Sequence, residues 1–310
     1  MDANHRFRGS LLGLAVGDTV GTTVEFCPPG TFEPVTDMVG GGPFHLKPGQ
    51  WTDDTSMALC LASSLVECGR FDAKDQAARY VRWWREGYLS STGTCFDVGN
   101  ATSEALRRFE RTGEPFAGST DRRSAGNGSL MRLAPAVLAF ASDPAEAVAR
   151  AADSSRVTHG APQAVDACRY FAGLVVGALQ GRTKEEILTP GFSPVPGLWA
   201  RAPLDAPVAD VASGSFLRKA PPEITGRGYV VATLEAALWA FASTSTFRDG
   251  CLAVVNLGDD ADTTAAVYGQ LAGAFYGDEG IPAPWLDRLS MRGKIETLAD
   301  RLLELSHKLG

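Results

Sequence analysis

Apolar residues recur at helical spacing in several long segments of the sequence, and this periodicity narrows the choice of fold more than any other property of the chain. The segments are rich in Ala and Leu and lack the two-residue alternation that a half-buried strand requires. They cover residues 57–66, 161–179, 230–242, 265–275 and 295–309. The sequence therefore predicts an all-α protein.

Two stretches between these segments, 28–49 and 189–228, carry most of the Pro and Gly. This composition is typical of irregular segments, so we expect extended surface connections rather than linkers between domains. The 310 residues, of which 45% are apolar types, suffice for a sizeable core. Length alone leaves one large domain or two small ones equally open.

Glycines recur at every fourth residue in three places, which puts each set on one face of a helix. A glycine costs a helix about 1 kcal/mol relative to alanine, so such a stripe indicates helix backbones that approach one another closely. We interpret the stripes as packing features. They are Gly9, Gly13, Gly17 and Gly21, then Gly173, Gly177 and Gly181, then Gly269, Gly273 and Gly277.

Charge and cysteine content exclude several classes of protein. A formal net charge of −7 provides no positive surface for a phosphate backbone, so direct nucleic-acid binding is not expected. The longest apolar run, 171–179, is about half as long as a membrane-spanning helix requires. Six scattered cysteines without a CxxC pair are typical of reduced thiols. We expect a monomeric, cytoplasmic protein with no membrane segment.

Two short acidic clusters, 51–56 and 256–264, each directly precede a helical segment. One interpretation is helix capping, because Asp, Ser and Thr accept hydrogen bonds from the free N–H groups of a first turn. For either cluster alone, capping is the favoured interpretation. A cap needs one acceptor, however, whereas these clusters crowd carboxylates together, and like charges repel unless a proton or a cation neutralises them.

The residue types in the clusters suit a hard divalent cation. Carboxylates and Thr hydroxyls are ligands that Mg²⁺ and Mn²⁺ prefer, and the sequence offers no Cys/His cluster for zinc. Asp260 and Thr263 fall on one side of a first helical turn, while Asp262 is placed to bridge. The negative charges that would balance two divalent ions come from Asp53, Asp54, Asp260 and Asp262. If one ion pair joins both clusters, residues 1–310 share a single core and form one domain.

Several blocks in order along the chain resemble the ADP-ribosylglycohydrolase family. The blocks lie at 17–25, 52–55, 126–132, 158–159, 228–231 and 258–264, so the resemblance runs almost end to end. It implies a single-domain, all-α orthogonal helical bundle with a dinuclear metal site in a central cleft. It also implies a hydrolase that uses two Mg²⁺ or Mn²⁺ ions and acts on an ADP-ribosylated protein or a small ADP-ribose conjugate.

The resemblance assigns roles to individual residues at the metal centre. In the family the ions hold the hydroxyls of the ribose whose anomeric carbon carries the modification. Glu25 and Asp97 match family acids beside the reacting groups, and Asp54 is expected to take part in catalysis as well as in metal binding. The alternative for Glu25 is an ordinary solvated side chain after a helix. The implied ligands are Thr52, Asp53, Asp54, Asp260, Asp262 and Thr263.

A second group of residues is expected to bind the nucleotide part of the substrate. Free backbone N–H groups in the stretch 126–129 can form a nest for the pyrophosphate, although such glycines alone more often mark a turn. His159 is either a ligand contact or a packed cap, and Tyr229 either stacks on adenine or belongs to the core. The implied substrate-binding residues are Ser124, Gly126, Asn127, Gly128, Ser129, Met131, His159 and Tyr229.

The sequence departs from the family pattern at one place, where Asp259 replaces the second glycine before Asp260. The extra carboxylate either strengthens metal binding or caps the helix.

The leading functional hypothesis is hydrolysis of the N-glycosidic bond between ADP-ribose and a protein arginine. Three alternatives stay open. The first is a hydrolase of O-linked ADP-ribose, either serine-linked or as O-acetyl-ADP-ribose. The second is a protein of the same fold that binds ADP-ribose without cleaving it. The third, and least favoured, is a magnesium phosphohydrolase, which paired aspartates alone would permit.

Overall fold

The computed structural model describes residues 2–310, and helices dominate that range. Single 3₁₀ turns occur at Thr22–Val24, Arg122–Ser124, Ser215–Leu217 and Asp278–Gly280. The α-helices are α1 Ala3–Gly21, α2 Asp53–Cys68, α3 Ala73–Glu86, α4 Asn100–Thr112, α5 Ala134–Ala139, α6 Pro144–Arg156, α7 Pro162–Leu179, α8 Lys184–Ile187, α9 Leu198–Arg201, α10 Ala206–Ala212, α11 Val230–Ser243, α12 Phe247–Val255, α13 Ala261–Tyr276, α14 Ala283–Arg288 and α15 Arg292–Leu309.

The all-α prediction is confirmed. The segments with helical spacing coincide with α2, α7, α11, α13 and α15. Within residues 2–310, β pairing is limited to isolated bridges at Gly41 with Leu46, Ser119 with His159, and Gly126 with Tyr229. No helix in this range is long and apolar enough to cross a membrane.

The two Pro- and Gly-rich stretches differ from each other. Residues 28–49 contain no helix, as expected for an extended connection. Residues 189–228 contain α9, α10 and a 3₁₀ turn, so the expectation of an extended segment is wrong there. α10 forms because Pro207 lies in its first turn, where proline suits a helix, and because Val208 and Val211 are buried on one face.

α1 and α13 pack with their backbones in contact along what we call the glycine seam, formed by Gly9, Gly13, Gly17, Gly269 and Gly273. A methyl group on Gly13 would overlap the carbonyl oxygen of Gly269, and one on Gly269 would overlap the carbonyl oxygen of Gly13. Since no side chain separates the helices, α1 and α13 keep a fixed register. For these two stripes, the interpretation as close backbone packing is correct.

The stripe on α7 has a different neighbour. Gly173 faces the ring of Pro194 and Gly177 faces the ring of Phe192, both in the 189–228 segment. Gly181 lies beyond the end of the helix in a left-handed conformation. The prediction of two helix backbones in contact is therefore wrong for α7, because its small residues accommodate side chains of a loop.

Two half-buried cations, Arg6 and Lys184, join the carboxyl ends of three long helices. Arg6 Nη1 donates hydrogen bonds to the carbonyl oxygens of Ala178 on α7 and Ala274 on α13, at 2.9 and 3.1 Å. Lys184 Nζ donates to the carbonyl oxygens of Phe241 and Thr244 at the end of α11. These groups satisfy carbonyls that have no partner within the helix. The amino end of α13 consequently lies at the other end of the bundle, where the acidic residues are.

Candidate functional site

The amino ends of α2 and α13 meet beside the last turn of α1. Each helix carries an aspartate in its first turn, Asp54 on α2 and Asp262 on α13, and both side chains are buried. Thr52 Oγ1 lies 3.2 Å from Asp54 Oδ2 and 3.3 Å from Asp262 Oδ2. The two acidic clusters, which are far apart in the sequence, thus come together at one place.

Carboxylate oxygens at this place form two groups that share Asp262. Oxygens of Asp18, Asp54 and Asp262 lie within 4.8 Å of one another, and so do oxygens of Glu25, Asp97 and Asp262. Among residues 2–310, Asp54 Oδ1 and Asp262 Oδ1 are buried without a hydrogen-bond partner. A buried oxygen of this kind carries a large desolvation cost unless a cation or proton compensates it. The donor set therefore fits a metal ion.

The electrostatics of the cluster lead to the same conclusion. Burial, reinforced by neighbouring carboxylates, raises the pKa values of Asp53, Asp54 and Asp262 well above their usual range. Burial and the charge of Asp97 raise the pKa of Glu25 to about 10. A nearby cation stabilises the charged form of a carboxyl group and opposes these shifts. The cluster is thus poorly suited to carry its full negative charge without a cation.

Asp18, on α1, is a buried member of the site to which the sequence analysis gave no role. Its Oδ1 accepts hydrogen bonds from the N–H and hydroxyl of Thr52, both at 2.9 Å. Its Oδ2 accepts from the N–H and hydroxyl of Thr55, at 3.0 and 2.6 Å. Because four donors occupy its oxygens, Asp18 supports the first turn of α2 and holds the Thr52 hydroxyl beside Asp54 and Asp262. The signal for it was an aspartate within an otherwise apolar, glycine-striped helix.

Asn127 connects the stretch 126–129 to the acidic residue Asp260. Its Nδ2 donates to Asp260 Oδ2 at 2.8 Å and to Thr233 Oγ1 at 2.9 Å. Its backbone N–H donates to the Gly228 carbonyl, and the N–H of Gly126 donates to the Ser124 carbonyl. In the described part of the chain, the N–H groups of Gly128 and Ser129 form no such bond. Of the four N–H groups predicted to form an anion nest, those of Gly128 and Ser129 are thus the two without a backbone acceptor.

His159 faces the same glycines and is held by Arg132, which the sequence analysis did not single out. Arg132 Nη2 donates to Thr158 Oγ1 at 2.8 Å, and Thr158 Oγ1 lies 2.8 Å from His159 Nδ1. Since Thr158 accepts from Arg132, its own hydrogen is free to be donated to Nδ1, and in that tautomer the ring proton is on Nε2. Burial and the Arg132 charge lower the pKa of His159 to about 3. His159 is thus a neutral donor whose Nε2–H points towards Gly126 and Gly128.

These residues surround a cleft of about 320 Å³. The predicted site residues that line it are Glu25, Asp53, Asp97, Gly126, Asn127, Gly128, Met131, His159, Asp260 and Thr263. Thr52, Asp54 and Asp262 lie buried beneath it.

Three predicted residues lie away from the cleft lining. Ser124 Oγ donates to the Asp121 carbonyl, and Ser129 Oγ is buried against Ser155. Tyr229 lies at the rim, where its side chain is 42% exposed and its backbone pairs with Gly126.

Asp259 adopts a left-handed conformation with φ of 54°, which glycine adopts without strain and which Asp tolerates better than most residues. Its carbonyl accepts from the N–H of Phe26 at 2.7 Å, and its own N–H donates to the Cys27 carbonyl at 2.8 Å. Its carboxylate lies 4.0 Å from Arg227 Nε. The loop that carries Glu25 is therefore fixed to the loop before α13 by main-chain bonds.

Comparisons with known proteins agree with this geometry. A sequence profile of the ADP-ribosylglycohydrolase family matches residues 1–310. The chain is 45% identical over 299 residues to ADP-ribosylarginine hydrolase Tri1 of Pseudomonas putida (strain GB-1), covering 96% of this chain and 78% of that protein. It is 42% identical over 299 residues to the protein of the same name in Serratia proteamaculans (strain 568), covering 96% and 79%.

A solved structure described as an ADP-ribosylglycohydrolase-related protein complex superimposes with a TM-score of 0.87 at 47% identity. The superposition covers 98% of this chain and 99% of that one. The profile match, the sequence identities and the structural superposition agree, and the chain belongs to the ADP-ribosylglycohydrolase family.

Proposed function

We propose that the protein hydrolyses the N-glycosidic bond between ADP-ribose and an arginine side chain of a modified protein. The observation that carries this proposal is the meeting of two distant acidic clusters beneath a cleft, with buried carboxylate oxygens that have no partner within the described chain. The names of two relatives that are 42% and 45% identical, both ADP-ribosylarginine hydrolases, support the linkage.

We propose two Mg²⁺ or Mn²⁺ ions as the cofactor. The donor set consists of carboxylate and hydroxyl oxygens, which suits these ions. When bound, such ions orient substrate hydroxyls, lower the pKa of bound water and stabilise developing charge. The residues that would hold them are Thr52, Asp53, Asp54, Asp260, Asp262 and Thr263.

The chain's own acids would supply the proton for bond cleavage. Glu25 and Asp97 lie close together at the cleft surface, and burial together with their mutual repulsion favours one proton shared between them. A carboxyl group with a raised pKa can give its proton to the departing guanidine nitrogen and then act as a base towards water.

The opposite wall would bind the ADP part. The N–H groups of Gly128 and Ser129, together with His159 Nε2–H, form a set of donors for a pyrophosphate. Tyr229 at the rim presents a partly exposed ring on which adenine can stack. Met131 also lines the cleft. We retain Ser124 and Gly126 as neighbours that shape this wall.

We further propose that residues 1–310 act as one domain in the reducing environment of the cytoplasm. The glycine seam between the two ends of the chain supports the first point. The second is supported by the six cysteines, which are all free of disulfide bonds within the described residues. The monomeric state remains a prediction.

The test is release of free ADP-ribose from an arginine-modified protein in the presence of Mg²⁺ or Mn²⁺, with a chelator as control. Asp53→Ala and Asp260→Ala are expected to abolish release and weaken metal binding, because each removes charge that compensates the ions. Asp287→Ala, which changes a 72% exposed side chain, is the matched control and should behave as wild type. Preference for serine-linked substrate, release of inorganic phosphate, or ADP-ribose binding without turnover would each overturn the proposal.

A further inference from the structure

Three phenylalanines, Phe26, Phe44 and Phe96, form an aromatic cluster beside the cleft, and one of them, Phe26, lines it. Phe26 lines the cleft and is 62% exposed. Its ring lies 6.4 Å from that of Phe44 in an edge-to-face arrangement, and Phe44 lies 5.1 Å from Phe96. Phe44 comes from the 28–49 connection and is half-buried against Phe26 outside the cleft lining, so this irregular stretch supports the ring that lines the cleft. A large apolar side chain that stays exposed within an ordered cluster beside a cleft is typical of a binding surface.

The backbone holds Phe26 in this exposed position. Its φ of 62° is left-handed, which is rare for a bulky residue, and its N–H donates to the Asp259 carbonyl at 2.7 Å. The exposure is therefore built into the loop between α1 and the cleft.

Two carboxylates lie directly beside the aromatic cluster in the sequence. Glu25 precedes Phe26, and Asp97 follows Phe96. Both side chains line the cleft, and their oxygens approach to within 4.8 Å of each other and of Asp262. Two divalent cations would balance the charges of Asp53, Asp54, Asp260 and Asp262, which leaves the acids beside the phenylalanines in excess. Glu25 and Asp97, with one proton shared between them, keep one negative charge, so this wall combines an aromatic face with an anionic carboxyl pair.

The opposite wall has the reverse chemistry. Gly128 and His159 line the cleft there, Gly128 with a backbone N–H that has no partner in the described chain, and Phe26 is the one phenylalanine of residues 2–310 in the lining. Hydrogen-bond donors suit an anion, whereas aromatic faces and carboxylates suit a delocalised cation such as a guanidinium. The cleft lining thus offers donors that suit an anion and, at Phe26 with Glu25 and Asp97, a surface that suits a cation.

We propose that the aromatic cluster, with Glu25 and Asp97, is the leaving-group subsite, in which the ring of Phe26 stacks on the guanidinium of the arginine released from ADP-ribose. This inference rests on the proposed function and deepens it, because it names the surface that distinguishes a cationic arginine from a neutral serine. A cation held over an aromatic ring gains stabilisation that a hydroxyl leaving group cannot obtain.

The test measures binding and needs no turnover. Metal-loaded protein saturated with ADP-ribose is titrated by calorimetry with agmatine, whose guanidinium represents the arginine side chain. A second titration uses N-carbamoylputrescine, an analogue that is neutral at this group because a urea replaces the guanidinium, while the terminal ammonium is the same in both compounds. Wild type is expected to bind agmatine at least about tenfold more tightly than the neutral analogue.

Variants separate the aromatic face from apolar bulk. Phe26→Leu keeps an apolar side chain and should weaken agmatine binding about tenfold, while Phe26→Trp should retain it. Affinity for ADP-ribose and for metal should stay the same in both. Phe116→Leu is the matched control, because Phe116 is 51% exposed and lies outside the cleft lining.

The outcomes distinguish this inference from the proposed function. Equal binding of agmatine and its neutral analogue, or unchanged agmatine affinity in Phe26→Leu, would overturn the subsite while release of ADP-ribose from arginine stands. Absence of that release in wild type would instead overturn the proposed function.

Discussion

The glycine stripes of the seam and of α7 are alike in sequence and differ in structure. In the seam, each glycine of α1 faces main-chain atoms of α13. On α7, Gly173 and Gly177 face proline and phenylalanine rings of a connecting segment. Four-residue spacing thus predicts a close approach without identifying the group that approaches.

The two regions also differ in what they hold in place. One turn beyond the seam, a methyl group on Gly21 would overlap Asp262 Cα, and Asp18 lies one turn before Gly21 on α1. Backbone contact therefore fixes the distance between a supporting acid and an implied metal ligand. α7 carries none of the implied ligands, so its packing affects stability alone. The following predictions test this contrast.

Gly17→Ala is expected to have the largest effect. The added methyl group would overlap the Ala265 carbonyl oxygen, and neither backbone can move without displacing a whole helix. We expect the free energy of unfolding to fall by about 3 kcal/mol or more, although alanine alone would favour the helix by about 1 kcal/mol. Urea unfolding measures this. An unchanged or increased stability would show that the seam can open.

Asp18→Asn should weaken metal binding about 10- to 100-fold, as is typical when a group that orients metal ligands is altered. An amide places an NH₂ group against the donors of Thr52 or Thr55, so the first turn of α2 loses its alignment. Calorimetric titration with Mn²⁺ measures the loss. Ser10→Ala is the control, since Ser10 bonds to the Gln270 carbonyl within the seam. An equal loss of Mn²⁺ affinity in both variants would mean that Asp18 contributes to packing and does not orient the metal ligands.

Metal removal should make stability depend on pH. The pKa of Glu25 is about 10 in the fold against 4.5 as the usual value, so its protonated form is stabilising at low pH and this stability is lost as the pH rises towards 10. Between pH 6 and pH 8, metal-free protein should lose up to about 1.4 kcal/mol per pH unit for such a group. Saturating Mg²⁺ should largely remove the slope. Thermal unfolding with chelator and with Mg²⁺ tests this, and parallel curves would contradict it.

Gly173→Ala should have the smallest effect. A methyl group there would lie 3.2 Å from Pro194 Cδ, in a segment that can shift by a few tenths of an ångström. We expect a change in unfolding free energy within about 1 kcal/mol of zero, because the gain in helix propensity offsets the crowding. Metal affinity should not change. A loss of unfolding free energy as large as that expected for Gly17→Ala would show that the two stripes are packed equally tightly.

What the sequence could predict depends on the range of the interactions involved. Helices α2, α7, α11, α13 and α15 follow from local periodicity, and the family resemblance is confirmed by the profile match over the whole chain. The polar helices α3 and α4 were not identified, although each buries a narrow stripe at helical spacing, with Ala77, Tyr80 and Trp83 on α3. The interpretation followed segments rich in Ala and Leu, and charged residues cover most of the surface of α3 and α4, so their apolar content is low.

The same limit applies to the site. Acidic clusters were recognisable because several carboxylates lie next to one another in the sequence. Asp18 and Arg132 act through single hydrogen bonds to distant residues, and their importance follows from burial and partners that only the fold defines. The roles of the individual site residues stay predictions until they are tested.

The main-chain pairing of Phe26 and Cys27 with Asp259 has a consequence for evolution. Since the bonds involve no side chain, position 259 can change its residue type while Glu25 stays beside the acidic residues of α2 and α13. Removing or adding a residue in either loop would break the pairing and displace Glu25. Natural variation here should take the form of substitutions, and both loops should keep a constant length among descendants that remain active.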